Sequence, residues 1–599
     1  MNEMACEISL CIIVKDEKEN LSRCVESVKD IVDEIIIVDI GSTDNTVEIA
    51  KIYGVKAYYF QWCNDFSAAM NESLKYATKD WVLIMDADDE FCKEDKEKFK
   101  MLVTNLDENT VYLFEIMCYF GIQSSNNLTI NLNPRLFKNN YGYSYEGVIY
   151  SQLINKNHST KEKGEFIKIY HYEHLNNSLI SKNKSKRNIT ILEEEIKKNP
   201  QSKFNYFNLG NEYSFINNEK NALESYYKAY EGFDETTGFG PRLIERIVMS
   251  NYNLEYYNKA LEFIETGLKY YSQCTDLYYF KGLILSIQDK PTLAIKAFEK
   301  CIEMGATPLI FKFIYGTDGF KATYELAQIY MKLKDYDTAY DYCIQTIKLK
   351  PDYLVPLYNI AHILKEKQIP MDEFKKSIEK FFTDFPRKYF IAADLFYMEG
   401  YYETALEYIN KYEIETGIPE ELKFFKIKCL IRSSKFDECI EYTKNIFQDN
   451  LYYFQAMMYK IICYVIMNKY ELALKVISGF NENKLLYHNK KAFQVYRQFF
   501  NIVTDKPTST LSEDENETSY TSTIFEICEI ILINKELDKF EKSLDLLNLI
   551  SDKSVLLQLG KLYNKHGYID MAKKEITNSI KLFGVIDREA LEILKIDSV

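Results

Sequence analysis

At 599 residues the chain exceeds what one hydrophobic core organises, so several domains are expected. Its net charge of −15 argues against a nucleic-acid partner, because phosphate binding calls for a basic face. No apolar run approaches the ~18–20 residues that cross a bilayer, and Glu3 and Glu7 stand where a signal peptide has its basic start and apolar centre, so a cytoplasmic chain with no membrane span is expected.

The first predicted element is the continuous apolar strand Ile8–Val14, followed by charged residues 15–20 and a helix over Leu21–Val28 with Leu21, Cys24, Val25 and Val28 at helical spacing. Cys6, Cys11 and Cys24 lie in or beside these apolar segments, and none of the 13 cysteines has metal-like spacing. Reduced buried thiols are the reading, which suits the cytoplasm. A second strand, Glu34–Asp39, ends in an acid; residues 41–46 open a helix through Val47, Ile49 and Ala50, with Ser42 and Asp44 read as its caps. A further strand over residues 81–85 runs into the acidic motif at Asp86, Asp88 and Asp89. Continuous apolar strands alternating with amphipathic helices predict an α/β domain with a parallel sheet buried on both faces. Ligands of such sheets bind outside the carboxyl ends of the strands, where residues 15–17, Asp39 and residues 86–89 all fall. Acids converging on one edge repel one another unless a cation or hydrogen-bond donors join them. A divalent cation, Mg2+ or Mn2+, carrying a sugar nucleotide meets that need.

The stretch ISLCIIVKDEKENLSRCVESVKDIVDEIIIVDIGSTDNT, together with FQWCNDFSAAMNESLKYATKDWVLIMDADDEF, closely resembles family 2 glycosyltransferases of the GT-A fold. It is most similar to the bacterial branch fused to tetratricopeptide repeats, which includes sublancin-type peptide S-glycosyltransferases and flagellin glycosyltransferases. The resemblance spans residues 7–195 and is most specific through Phe91. It implies that Val14 and Glu17 line the nucleotide pocket and that Asp39 bonds the base. It further implies that Asp86 reaches the ribose or the metal and that Asp88 is the principal metal ligand, with Asp89 placed to substitute for it. Arg135 matches a family arginine that faces the diphosphate, the alternative being a strand-flanking role. His171 matches a family histidine, the alternative being a satisfied core residue.

Three positions depart from the family. Met70 replaces an arginine and cannot donate to a phosphate; Tyr150 and Ser151 replace a His-Glu pair where a third ligand or the acceptor site is expected. A phenol is a poor ligand for Mg2+ or Mn2+, and a serine is no carboxylate base. The surviving carboxylate of that segment is Glu146, read either as the catalytic base or as a hydrogen-bonding prop. The basic run 182–187 reads as a solvated linker face.

Beyond residue 195 amphipathic helix pairs take over, and they give the 49 tyrosines and 37 phenylalanines surfaces to pack on. Tyr206, Leu209, Gly210, Tyr213, Ala222, Tyr226 and Ala229 stand at tetratricopeptide spacings. The marks return at Gly282, Ala294 and Phe298, at Leu326, Ala327 and Ala339, loosely at Ala405, Cys439 and Ala473, and clearly at Leu559, Gly560, Tyr563 and Ala572. The period of about 34 residues predicts roughly nine to ten units. The expected organisation is a transferase domain at 1–195, repeats at 196–500, a polar disordered linker at 501–523 and further helical repeats at 524–599.

Taken with the resemblance, these residues imply an inverting glycosyltransferase that moves GlcNAc or glucose from a UDP-sugar to a polypeptide acceptor held by the repeats. Ser or Thr of a flagellin-like protein is the favoured acceptor; the alternatives are a peptide cysteine, or a degenerate transferase domain serving as a scaffold. For the repeats themselves, the alternative to acceptor binding is a stabilising or dimerising appendage.

Overall fold

The apolar runs read above become buried strands of one eight-stranded sheet. The computed structural model describes residues 6–55, 57–119, 128–172, 178–382, 387–511 and 520–595. In chain order the first domain has β1 (Ile8–Val14), α1 (Leu21–Val28), β2 (Glu34–Asp39), α2 (Thr46–Ile52), β3 (Ala57–Tyr59), α3 (Phe66–Tyr76), β4 (Trp81–Ile84), β5 (Asp89–Phe91), α4 (Lys96–Val103), β6 (Thr110–Tyr119), β7 (Leu128–Lys138), β8 (Tyr143–Glu146), β9 (Gln152–Asn155) and β10 (Lys161–His171).

The sheet order is β3-β2-β1-β4-β7-β6-β10-β5, with β8 and β9 forming a separate antiparallel pair. Strands β1 to β4 are parallel, as the continuous apolar sequences of β1, β2 and β4 predict; the short β3 (Ala57–Tyr59) adds to β2 without such a pattern. The other half is mixed: β7 is antiparallel to both β4 and β6, β10 runs parallel to β6, and β5 closes the far edge antiparallel to β10. Both faces of the parallel half are covered. Leu10, Ile12 and Val14 join α1 and Phe99 in one apolar cluster, while Cys11 joins Ile36, Val38, Val82 and Ala69 of α3 in the other. Two-residue alternation along β1 explains that division.

After α5 (Ser178–Lys198) the helices pair in antiparallel hairpins: α6 (Lys203–Phe215) with α7 (Glu219–Tyr230), α8 (Gly240–Asn253) with α9 (Tyr257–Tyr270), α10 (Thr275–Ile287) with α11 (Pro291–Met304), and α12 (Phe320–Lys332) with α13 (Tyr336–Leu349). The small residues do what their spacing suggests. A Cβ on Gly210 would stand 2.4 Å from the Tyr226 ring, and one on Gly282 would stand 2.6 Å from the Phe298 ring, so each glycine lets its partner helix close in. The pair α8/α9 escaped the sequence pattern because Ile247 occupies the position of that glycine. Here the small residue lies on α9 instead, where Gly267 packs against Ile244 and Leu277.

The chain divides into two compact units, Met1–Asn359 and Ile360–Val599, so the sheet and the first four helix pairs belong to one unit. An unusually long connection between α11 and α12 joins them. Phe313 O accepts from Ile130 N at 2.6 Å, Tyr315 N donates to Leu128 O at 3.1 Å, and Ile314 bridges Thr129, so the loop extends the start of β7. Buried Asp276 of α10 holds this loop by accepting from Phe313 N, Ile314 N and the Thr317 hydroxyl.

In the second unit helices continue to Ile569–Phe583 and Arg588–Lys595. The polar stretch expected at 501–523 begins inside the helix Tyr487–Val503 and ends inside Thr521–Ile533. Its centre, 512–519, lies outside the described residues.

Candidate functional site

The acidic motif sits where β4 ends, and its geometry is fixed from two later strands. Arg135 of β7 reaches Asp86 Oδ2 at 2.9 Å and Asp89 Oδ2 at 3.1 Å and donates to Ile84 O at 3.4 Å. His171, the last residue of β10, places Nδ1 2.8 Å from Asp89 Oδ1 and 3.6 Å from Asp88 Oδ1. Asp86 N donates to Asp89 Oδ2 at 2.8 Å. Asp89 is fully buried and begins β5, paired with His171 in register. Burial works against its charge, but Arg135 and then His171 hold its carboxyl below the usual carboxylate range. Burial likewise opposes the charge of Arg135, and the two aspartates keep the guanidinium protonated.

The loops after β1 and β2 are laced together. Asp16, at φ +56°, accepts from Thr43 N at 2.6 Å, and its own N–H donates to Ser42 Oγ. Glu17 N donates to Thr46 Oγ1 at 2.8 Å, and the Glu17 carboxylate accepts from Asn20 Nδ2. Asp39 is buried and accepts from Ser42 N at 3.0 Å. Asp44 accepts from Thr46 N at 3.0 Å just ahead of α2, but the N-cap position is Asn45, whose side chain makes no cap bond. Ser42 does not cap α2 either; its hydroxyl is taken by Asp16.

A cavity of about 1150 Å3 opens beyond this edge. Of the residues singled out from the sequence, Val14, Glu17, Asp86, Asp88, Arg135 and His171 line it, and so do Met70 and Tyr150; Asp39, Asp89 and Glu146 are not among its described lining. Met70 packs into the apolar cluster beneath α3, so the position where the family has an arginine supplies apolar wall. Glu146 is exposed and ion-paired with Lys156 at 2.6 Å. That placement does not support the role of base, because the side chain is engaged outside the cavity.

The loop between β8 and β9 is held against α3. Asn71 exchanges two hydrogen bonds with the Tyr145 backbone, at 2.8 and 2.9 Å, and Ser67 bonds both Gly147 O and Ser151 Oγ. Tyr150 adopts φ +52°, a conformation bulky residues seldom take, and its hydroxyl donates to Glu212 Oε1 at 2.5 Å. Glu212, on α6, also accepts from Asn188 Nδ2 at 2.7 Å, is buried, and lines the cavity. Sequence reasoning missed it because it belongs to the repeats. The available signal was Tyr150 itself, a phenol standing where a ligand was expected and needing an acceptor.

The motif fits a divalent cation. Ligand atoms of Asp86, Asp89 and His171 lie within 4.8 Å of one another, and carboxylate oxygens are the donors that suit Mn2+ and Mg2+. Since Asp89 is already committed to Arg135, His171 and Asp86 N–H, the carboxylates presented to the cavity are those of Asp86 and Asp88.

Comparison with known proteins agrees with this architecture. The family model for glycosyl transferase family 2 matches residues 9–160, and that for the tetratricopeptide repeat matches 205–231, 275–304 and 320–353. The SPbeta prophage-derived glycosyltransferase SunS of Bacillus subtilis is 29% identical over 379 residues, covering 60% of this chain and 86% of SunS. A TPR repeat-containing protein of Synechococcus elongatus is 44% identical over 111 residues, 18% of this chain and 27% of its own. An uncharacterized glycosyltransferase of Rickettsia typhi is 34% identical over 122 residues, 20% of this chain and 41% of its own. No helix among the described residues is long and apolar enough to cross a membrane. The chain is a glycosyltransferase: an α/β domain that matches the family 2 model over residues 9–160 is followed by helices that match the tetratricopeptide repeat.

Proposed function

We propose that the chain transfers a sugar, with inversion, from a UDP-sugar to a side chain of a polypeptide. The observation that carries this reading is the single cavity that the acidic edge of the sheet shares with the first repeats, so donor chemistry and a repeat surface face the same space. Val14 and Glu17 bound the nucleotide side, and Asp86 and Asp88 would hold a divalent cation that neutralises the departing diphosphate. Arg135 keeps the motif ordered and adds a second positive charge at that end. Glu212 is the carboxylate that receives the acceptor's proton. Tyr150 and Asn188 bond its Oε1 and orient it. Ser or Thr of a flagellin-like protein is the favoured acceptor, and GlcNAc or glucose the sugar. The free cysteines, mostly buried, support a reducing compartment such as the cytoplasm.

The test is hydrolysis of a panel of UDP-sugars with Mn2+ or Mg2+. Wild type should release UDP from at least one donor in a metal-dependent way, and Asp88→Ala should lower the rate roughly 100-fold. Absence of UDP binding and of metal-dependent UDP release from every donor would overturn the reading.

A further inference from the structure

The repeat side of the cavity is built from the first helix of each pair: Asn208 and Glu212 on α6, Arg246 on α8, Leu283 on α10 and Lys321 on α12. Several of its donors have no protein acceptor. Arg246 Nε is buried without a hydrogen bond, and the guanidinium makes no ion pair among the described residues. It lies 4.7 Å from the centre of the Phe313 ring, whose other cationic neighbour, Arg242, is already paired with Glu245 at 2.7 Å. Asn208 Nδ2 is buried and unpartnered. Lys321 makes no ion pair among the described residues. Burial pushes its pKa down although Asp276 and Glu325 are near, and those two carboxylates are engaged elsewhere, Asp276 with the α11–α12 loop and Glu325 with the Tyr279 hydroxyl. The acid on this wall, Glu212, is bonded by Tyr150 and Asn188.

A chain of net charge −15 thus keeps uncompensated donors, flanked by the apolar side chains of Phe207, Met249 and Leu283, facing into one cavity. Desolvated cations without partners are costly, and an anionic ligand recovers that cost. We propose that the inner helices α6, α8, α10 and α12 form an acceptor subsite selective for a polypeptide segment with acidic residues beside the modified side chain. Arg246 and Lys321 bind the acceptor carboxylates, and Asn208 bonds its backbone. This inference rests on the polypeptide-acceptor reading above. The rival source of the anion is the donor's own diphosphate.

Fluorescence anisotropy on the full-length protein separates them, using a labelled synthetic peptide with a central serine flanked by glutamates and its glutamine counterpart. Wild type should bind the glutamate peptide at least about tenfold tighter. In the double variant Arg246→Gln/Lys321→Gln the preference should fall below about twofold with UDP affinity in Mn2+ unchanged. The charge-keeping variant Arg246→Lys/Lys321→Arg should retain it. Equal binding of the two peptides by wild type, a preference that survives in the double variant, or a parallel fall in UDP affinity overturns the proposal. The last outcome assigns the cations to the donor. UDP-sugar hydrolysis run alongside keeps the two readings apart, since hydrolysis without peptide preference sinks only the acidic subsite.

Discussion

At the end of β4 three carboxylates fall within four residues, and their neighbours give them different work. Asp89 is buried against Arg135 and His171, whereas Asp88 lines the cavity. Asp89→Asn should therefore act on the fold, lowering stability by about 3 kcal/mol because it weakens a buried ion-pair network. Asp88→Ala should leave the urea midpoint close to wild type while lowering metal-dependent hydrolysis roughly 100-fold. Equal loss of stability in both would show that the division is wrong. The proton acceptor is tested by a second pair. Glu212→Gln should stop transfer while UDP binding persists, and Glu146→Gln should turn over like wild type, read by intact-mass analysis of the acceptor. Asp86, Asp88 and Asp89 were legible in the sequence because they are contiguous with a strand end. Glu212 was not, since 62 residues separate it from the Tyr150 hydroxyl it accepts.

Among elements, the α11–α12 connection matters most, because it ties the helical array to β7. Its anchor is Asp276, whose carboxylate satisfies two backbone N–H groups and a hydroxyl. Asp276→Ala leaves those donors buried and unpaired, and the expected loss is about 3 kcal/mol. Hydrogen exchange should show faster exchange at residues 312–317 and at 128–130, and unchanged protection there would contradict the anchoring role. The strands β1, β2 and β4 and the helix pairs around Gly210, Gly282 and Gly560 were readable from their own periodicity. Strand β5 was not: Asp-Glu-Phe is too short to carry a pattern, and it exists because β10 pairs with it across 78 residues of sequence (Phe91 with Ile169).

At the scale of the molecule, separate networks hold separate regions. In the second unit Glu529 accepts from Lys565 at 2.6 Å and His566 at 3.2 Å, with Arg432 at 3.8 Å, joining three helices far apart in sequence. Burial opposes its charge, yet His566, Lys565 and Arg432 hold its pKa down to about 2. A carboxyl whose folded pKa lies below its unfolded value adds stability above about pH 4.3, and that stability fades as pH falls toward 2. Glu529→Gln should cost about 3 kcal/mol at pH 7 and flatten the acid limb between those pH values, measured by urea unfolding of the intact chain. An unaltered acid limb would remove the network from the account. The sequence alone determined the α/β domain, the helical repeats and the acidic motif, because each rests on local periodicity or on contiguous residues. Only the tertiary structure decided that β7 and β10 send Arg135 and His171 to that motif, that Glu146 pairs outside the cavity, and that Glu212, Arg246 and Lys321 line it. These are meetings of side chains from distant segments, set by sheet order and helix stacking, and no local pattern encodes them.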